Sequence, residues 1–183
     1  MRYLILSDIH ANWEALQAVL QSAAGRYDQI VCLGDVVGYG ADPNAVTEWV
    51  RGHVKEVIRG NHDKACCGLE DTITFNPVAR RAAEWTMTTL TPDNREYLRG
   101  LARGPMEVDG FLMVHGSVLD EDEYLIDPYD ALFQFPHVED AWSSSGTPMC
   151  KGGSCCGTPG IEPKRPRPKR RVKRCGSSAE PRS

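Results

Sequence analysis

The pattern of apolar and polar positions opens with a short, nearly continuous apolar run from Arg2 to Ser7, which predicts a strand buried on both faces. The polar cluster Asp8-Ile9-His10 follows. Asn12 then caps a helix through about Ala24, with Trp13, Leu16, Val19 and Leu20 at helical spacing. Gln29 to Leu33 predicts a second strand, which runs into Gly34-Asp35-Val36-Val37-Gly38-Tyr39-Gly40. Asp42-Pro43 opens a second helix, with the carboxylate as cap and the proline at the first helical position. Val54 to Ile58 predicts a third strand, which ends at Gly60-Asn61-His62-Asp63.

The middle of the chain reads as helical, since Asn76-Pro77 and Thr91-Pro92 repeat the cap-then-proline start. Met106 to Val108, Asp109-Gly110 and Phe111 to Val114 read as a hairpin with a two-residue turn. Its second strand ends in His115-Gly116-Ser117, and Asp127-Pro128 starts a short helix toward Phe135. Strands and helices alternate and then give way to helices and a hairpin. That order predicts an α/β fold in layers, with helices packed on β-sheets.

Composition divides the chain in two. The net charge of -4 averages a body of residues 1–150, at about -12, and a tail from Lys151 onward that carries ten Lys/Arg against two acids. Seven cysteines do not pair evenly; Cys32 lies in an apolar run, Cys66 and Cys67 are adjacent, and Cys150, Cys155, Cys156 and Cys175 fall at or beyond the edge of the tail. The apolar stretch Tyr3 to Leu6 is too short for a signal peptide and no run reaches membrane-spanning length, so the expectation is a soluble protein of a reducing cytoplasm.

Four predicted strands end in polar clusters: Asp8/His10, Asp35, Asn61/His62/Asp63 and His115. Each has an ordinary explanation. Asp8 can cap a helix, Gly34-Asp35 and Gly60-Asn61 can be turns, and His115 can be a rim histidine. In open α/β sheets, however, functional groups collect at the carboxyl ends of strands, so the four clusters can meet in one crevice. Carboxylate, amide and imidazole groups without thiols suit divalent Mn, Fe or Zn, and a carboxylate between two such ions can bridge them.

Taken in order, Asp8-x-His10, Gly34-Asp35-x-x-Gly38, Gly60-Asn61-His62-Asp63 and Val114-His115-Gly116 resemble the motif set of the calcineurin-like metallophosphoesterases, over roughly residues 1–135. The likeness is to the small bacterial branch running toward diadenosine tetraphosphatases and Ser/Thr phosphatases. The resemblance implies two divalent metal ions, with manganese favoured over iron and zinc. Asp8 and His10 would hold the first, Asp35 would bridge both, and Asn61 and His115 would hold the second. His62 would serve as general acid with Asp63 orienting its ring. The implied reaction is attack of a metal-bridging hydroxide on a phosphomonoester or phosphodiester. The substrate would be a small phosphate ester, a nucleotide or a phosphoprotein, with no membrane partner.

The family closes its site with a further strand and Gly-His-Thr-His, and this motif is missing here. After Phe135 the chain has only His137, then Ala141 to Cys150 and a Gly/Cys/Pro/Arg-rich tail without strand or helix pattern. With permitted synonymous codons, Ala141 to Cys150 read one frame away encodes an apolar strand followed by Gly-His-Thr-His-Val. The expectation is therefore an incomplete domain over 1–140, short of its C-terminal strands, and an out-of-frame, disordered tail over 141–183, with impaired activity. Two other readings stay open. One is a metal-binding or regulatory module without catalysis. The other is nucleic-acid binding through Lys164 to Arg174, although that run lacks aromatic residues for stacking.

Overall fold

The computed structural model describes residues 1–145, 149–151 and 154–155. Strand β1 (Tyr3–Leu6) leads to helix α1 (Trp13–Ala23), and β2 (Gln29–Cys32) leads to α2 (Pro43–His53). The short β3 (Glu56–Val57) leads to α3 (Asn61–Cys67). These strands form a parallel sheet in the order β1-β2-β3, with Leu4 opposite Ile30 and Cys32 opposite Val57. Helices α4 (Pro77–Thr89) and α5 (Pro92–Arg99) come next.

A hairpin of β4 (Met106–Val108) and β5 (Phe111–Val114) starts the second sheet. Its turn residues Asp109 and Gly110 have φ of 41° and 90°, the paired left-handed geometry that matches the twist of a two-residue hairpin. Helix α6 (Pro128–Ser145) runs past the expected end at Phe135 and carries Pro136 inside it. β6 (Met149–Lys151) then pairs parallel with β5, and β7 (Ser154–Cys155) pairs antiparallel with β6. The sequence pattern signals neither strand, because their apolar content is too low for a periodicity reading. The remainder of the tail lies outside the described residues.

Alternation along the first sheet builds two cores. Leu4, Leu6, Ile30 and Cys32 face the helices, where Leu16, Val46, Val50 and Leu98 meet them. Tyr3, Ile5, Val31 and Leu33 face the hairpin, where they pack on Val108, Phe111 and Met113. The layers are thus helices, sheet and second sheet. The strands are held from both faces, and their carboxyl ends are fixed in space. Asn12, Asn76 and Thr91 cap α1, α4 and α5 with side-chain oxygens that accept backbone N–H groups. Asp42 does not cap α2 as expected; its side chain makes no such bond. Among the described residues, no helix is long and apolar enough to cross a membrane.

Candidate active site

The loops after β1 and β2 run side by side. Asp8 N donates to Gly34 O at 3.1 Å, His10 N to Asp35 O at 2.9 Å and Ala11 N to Val36 O at 2.9 Å. Asp8, His10, Ala11 and Asp35 all hold φ between 49° and 54°, the left-handed region that costs a non-glycine residue roughly 1–2 kcal/mol. The zipped loops impose that backbone and turn the Asp8, His10 and Asp35 side chains toward one another. Each of the three offers a ligand atom within 4.8 Å of the others.

Asp35 is the centre of the cluster, its side chain 5 % exposed. Its Oδ1 accepts His62 N at 2.9 Å, which ties it to the start of α3. A Cβ on Gly60 would fall 2.1 Å from that same Oδ1, so only glycine lets the loop after β3 pass this close. The other oxygen, Oδ2, faces two imidazoles, with His10 Nε2 at 3.7 Å and His115 Nε2 at 3.6 Å.

The second nitrogen of each ring fixes its tautomer. His10 Nδ1 lies 3.2 Å from Val37 O and His115 Nδ1 lies 2.8 Å from Leu33 O. A carbonyl accepts, so each Nδ1 carries the proton and each Nε2 presents a lone pair. His115 Nε2 also faces Asn61 Oδ1 at 3.3 Å. Two imidazole nitrogens, an amide oxygen and a carboxylate therefore converge on one point. Such a donor set suits a divalent cation.

The electrostatics agree. Burial, reinforced by Asp8, raises the Asp35 carboxyl above its ordinary range. Burial lowers His10, and it lowers His62 to about 4 with help from His10 and His115. The Asp35 carboxyl and the His10 and His62 imidazoles are all pushed toward neutrality, and a bound cation would reverse the penalty on Asp35.

His62 begins α3 and lies in an aromatic row. Its ring centroid is 4.9 Å from His10, 4.8 Å from Tyr39 and 4.8 Å from Phe75. Its Nδ1 is buried without a partner. The expected orienter does not orient it. Asp63 is fully buried and accepts Val37 N at 3.1 Å with one oxygen and Gly60 N at 2.9 Å with the other. Consecutive helical residues point about 100° apart, so when His62 faces the pocket Asp63 turns beneath the loops. Asp63 thus clamps the loop after β2 to the loop after β3.

A pocket of about 290 Å³ opens beside Asn61 and His62. Tyr39, Asn76 and Ala79 line it. Glu70, Thr74 and Phe75 from the α3–α4 connection, and Asp122 and Tyr124 from the loop after β5, line it as well, and sequence reasoning missed these. The acidic run Asp120 to Glu123, shortly after His115-Gly116, is the one sequence signal for the Asp122 side of this wall. Gly116 sets that loop's path, because a Cβ there would sit 2.3 Å from Glu121 O. Glu121 then receives Arg59 through bonds of 3.1 and 2.7 Å, while Lys64 Nζ meets Asp122 and lies 3.0 Å from Glu70. This half-buried ion cluster pins the loop to α3.

The family model of the calcineurin-like phosphoesterases matches residues 1–154. The chain belongs to that family. It is similar to a metallophosphoesterase of Sphaerobacter thermophilus whose crystal structure is known, at 43 % identity and TM-score 0.62, over 74 % of this chain and 56 % of that one. It also shares its fold with a hypothetical protein of Pyrococcus horikoshii, at 21 % identity and TM-score 0.63, over 76 % of this chain and 66 % of that one. An uncharacterized protein of Methanocaldococcus jannaschii is 41 % identical over 98 residues, which are 53 % of this chain and 40 % of the archaeal protein. The chain thus spans about half the length of such relatives, and the match to the family model extends beyond residue 140 into the region of altered composition.

Proposed function

We propose that this chain is a metal-dependent phosphoesterase that hydrolyses phosphomonoesters or phosphodiesters. Asp8, His10, Asp35, Asn61 and His115 hold two divalent cations, with manganese favoured over iron or zinc. The observation that carries this reading is the convergence of the His10 and His115 Nε2 lone pairs on Asp35 Oδ2, at 3.7 and 3.6 Å, beside Asn61 Oδ1. When bound, the cations supply Lewis-acid activation of water and neutralise the phosphate charge. The chain's own residues do the remaining work. Asp35 fixes the spacing of the ligands, and the carbonyls of Val37 and Leu33 hold both histidines with Nε2 inward. Asp63 clamps the loops that carry Asp35 and His62.

His62 is the proton donor to the leaving oxygen. Burial lowers its imidazole to about 4 in the absence of ligand. A phosphate dianion in contact with it favours the protonated form, so protonation accompanies substrate binding. The tail from residue 141 is out-of-frame sequence, and the chain as it stands lacks two histidines that the family motif supplies. Its activity is therefore well below that of a frame-restored protein.

The test is manganese-dependent phosphate release from aryl monoesters and diesters, measured on this chain, on Asp35→Asn and on the frame-restored protein. Weak activity, lost in the variant and strongly raised by restoration, is the expected result. Absence of metal-dependent hydrolysis in all three would overturn the reading, and a coding sequence without histidine codons in the alternative frame would overturn the tail assignment.

A further inference from the structure

The pocket beside the ligand cluster has a composition that selects among phosphate esters. Tyr39 and Phe75 flank His62 at ring-centroid distances of 4.8 Å each, and Tyr124 comes over from the opposite side on the loop after β5. Tyr39 and Tyr124 are 48 % and 71 % exposed, so both rings retain surface open to the pocket side. Among the described residues that line the pocket there is no Lys or Arg to receive a second phosphate. The only charged lining groups are Glu70 and Asp122, both engaged by Lys64. Asp122 Oδ1 is buried and has no hydrogen-bond partner. A volume of about 290 Å³ lies at the lower limit of small-molecule sites, which is room for one ring system and too little for a folded peptide segment.

We propose that this pocket selects phosphate esters whose leaving group carries a single planar aromatic ring system, an aryl group or a nucleobase, with no further phosphate beyond the one that reacts. The ring stacks among Tyr39, Phe75 and Tyr124, and Asp122 Oδ1 accepts a hydrogen bond from a ring N–H, amino or hydroxyl group. A polyphosphate chain would lie against two carboxylates with no free cation, which disfavours it. This inference rests on the phosphoesterase reading for the position of the phosphate, and it can fail while that reading stands.

The test uses pairs of esters that share the ester linkage and differ in the ring. Adenosine 5′-monophosphate is compared with ribose 5-phosphate, and benzyl phosphate with cyclohexylmethyl phosphate. Equilibrium binding to the full chain with manganese, by calorimetry, and kcat/KM are measured for all four, and for adenosine 5′-diphosphate. The aromatic member of each pair is expected to bind about tenfold more tightly, and the diphosphate no better than the monophosphate. Tyr124→Ala and Tyr39→Leu, each checked for folding by circular dichroism, should bring each ratio toward one.

A preference in both pairs identifies the planar ring as the recognised feature, and a preference in the nucleotide pair alone identifies the base edge at Asp122. Equal binding within both pairs overturns the inference and leaves the phosphoesterase reading intact, as does tighter binding of the diphosphate. An aromatic preference unchanged in both tyrosine variants overturns the assignment to this pocket. An aromatic preference in binding with no hydrolysis of any ester supports the pocket and counts against the catalytic reading.

Discussion

His115 Nε2 lies 3.6 Å from Asp35 Oδ2, although His115 ends a strand of the second sheet and Asp35 follows a strand of the first. The contact joins the two layers at their carboxyl ends. It depends on the Leu33 carbonyl, which holds His115 Nδ1 at 2.8 Å and leaves the other nitrogen unprotonated. Burying the Asp35 carboxylate among these groups costs the fold stability, which shows in its raised pKa.

Asp35→Asn should therefore stabilise the metal-free protein. The amide keeps an acceptor for His62 N and removes a buried charge whose pKa burial has raised. In EDTA the variant is expected to melt a few degrees above the wild type, equivalent to about 1 kcal/mol. In excess manganese the order should reverse, because only the wild type gains from ligand linkage. Thermal melts in the two buffers check both halves.

Gly60→Ala and Gly52→Ala should act in opposite directions. A Cβ at residue 60 meets Asp35 Oδ1 at 2.1 Å, whereas one at residue 52, within α2, meets nothing within 4 Å. The first change is expected to cost about 2–4 kcal/mol and to abolish metal binding, since Asp35 must move. The second should stabilise by about 0.5–1 kcal/mol through helix propensity and leave metal binding unchanged. Denaturant titration compares them.

Lys64 is 7 % exposed and serves three carboxylates, Glu70, Glu121 and Asp122. Lys64→Met leaves them without their shared cation, and the pocket loop loses its tie to α3. Two of the three are 49 % and 39 % exposed, so water recovers part of the loss and the expected cost is about 1–3 kcal/mol. Hydrogen exchange should accelerate at residues 117–124 before it does in β1 or β2. Equal protection in the loop would contradict the clamp.

Acid stability has an identifiable contributor far from the site. Asp28 accepts Arg2 N and Arg2 Nη2, each at 2.8 Å, and its hydrogen bonds to Arg2 lower its carboxyl to about 2. A depressed folded pKa gives stability that is full above the unfolded value near 3.8 and is lost as pH falls through about 2. Asp28→Asn should therefore differ from wild type at pH 5 and converge with it as pH falls from about 4 to 2. Unfolding midpoints across that range test it.

The strands of the first sheet, the starts of α1 and α4 and the hairpin were legible because each rests on a local rule. Tyr3 to Leu6 is an apolar run, Asn12 and Asn76 are side-chain caps, and Asp109-Gly110 supplies two residues that tolerate left-handed backbone. The clustering of Asp8/His10, Asp35, Asn61 and His115 was legible because polar groups at strand ends are local in sequence. The role of Asp63 was not, because it depends on which side of α3 faces the loop after β2, a tertiary relationship carried by Val37 N. The pocket wall of Phe75, Asp122 and Tyr124 was hidden for the same reason, since connections without periodicity bring it together. The extension of α6 to Ser145 runs through Pro136, where a local rule places a break.

The most direct test of the central claim is a manganese titration followed by the loss of the free-ion electron paramagnetic resonance signal, on wild type, Asp35→Asn and His115→Ala. Convergence of Asp8, His10, Asp35, Asn61 and His115 on one centre predicts saturable binding of up to two ions per chain. Apparent affinity should fall at least tenfold in either variant. Equal manganese binding by all three proteins, or none by the wild type, would contradict it.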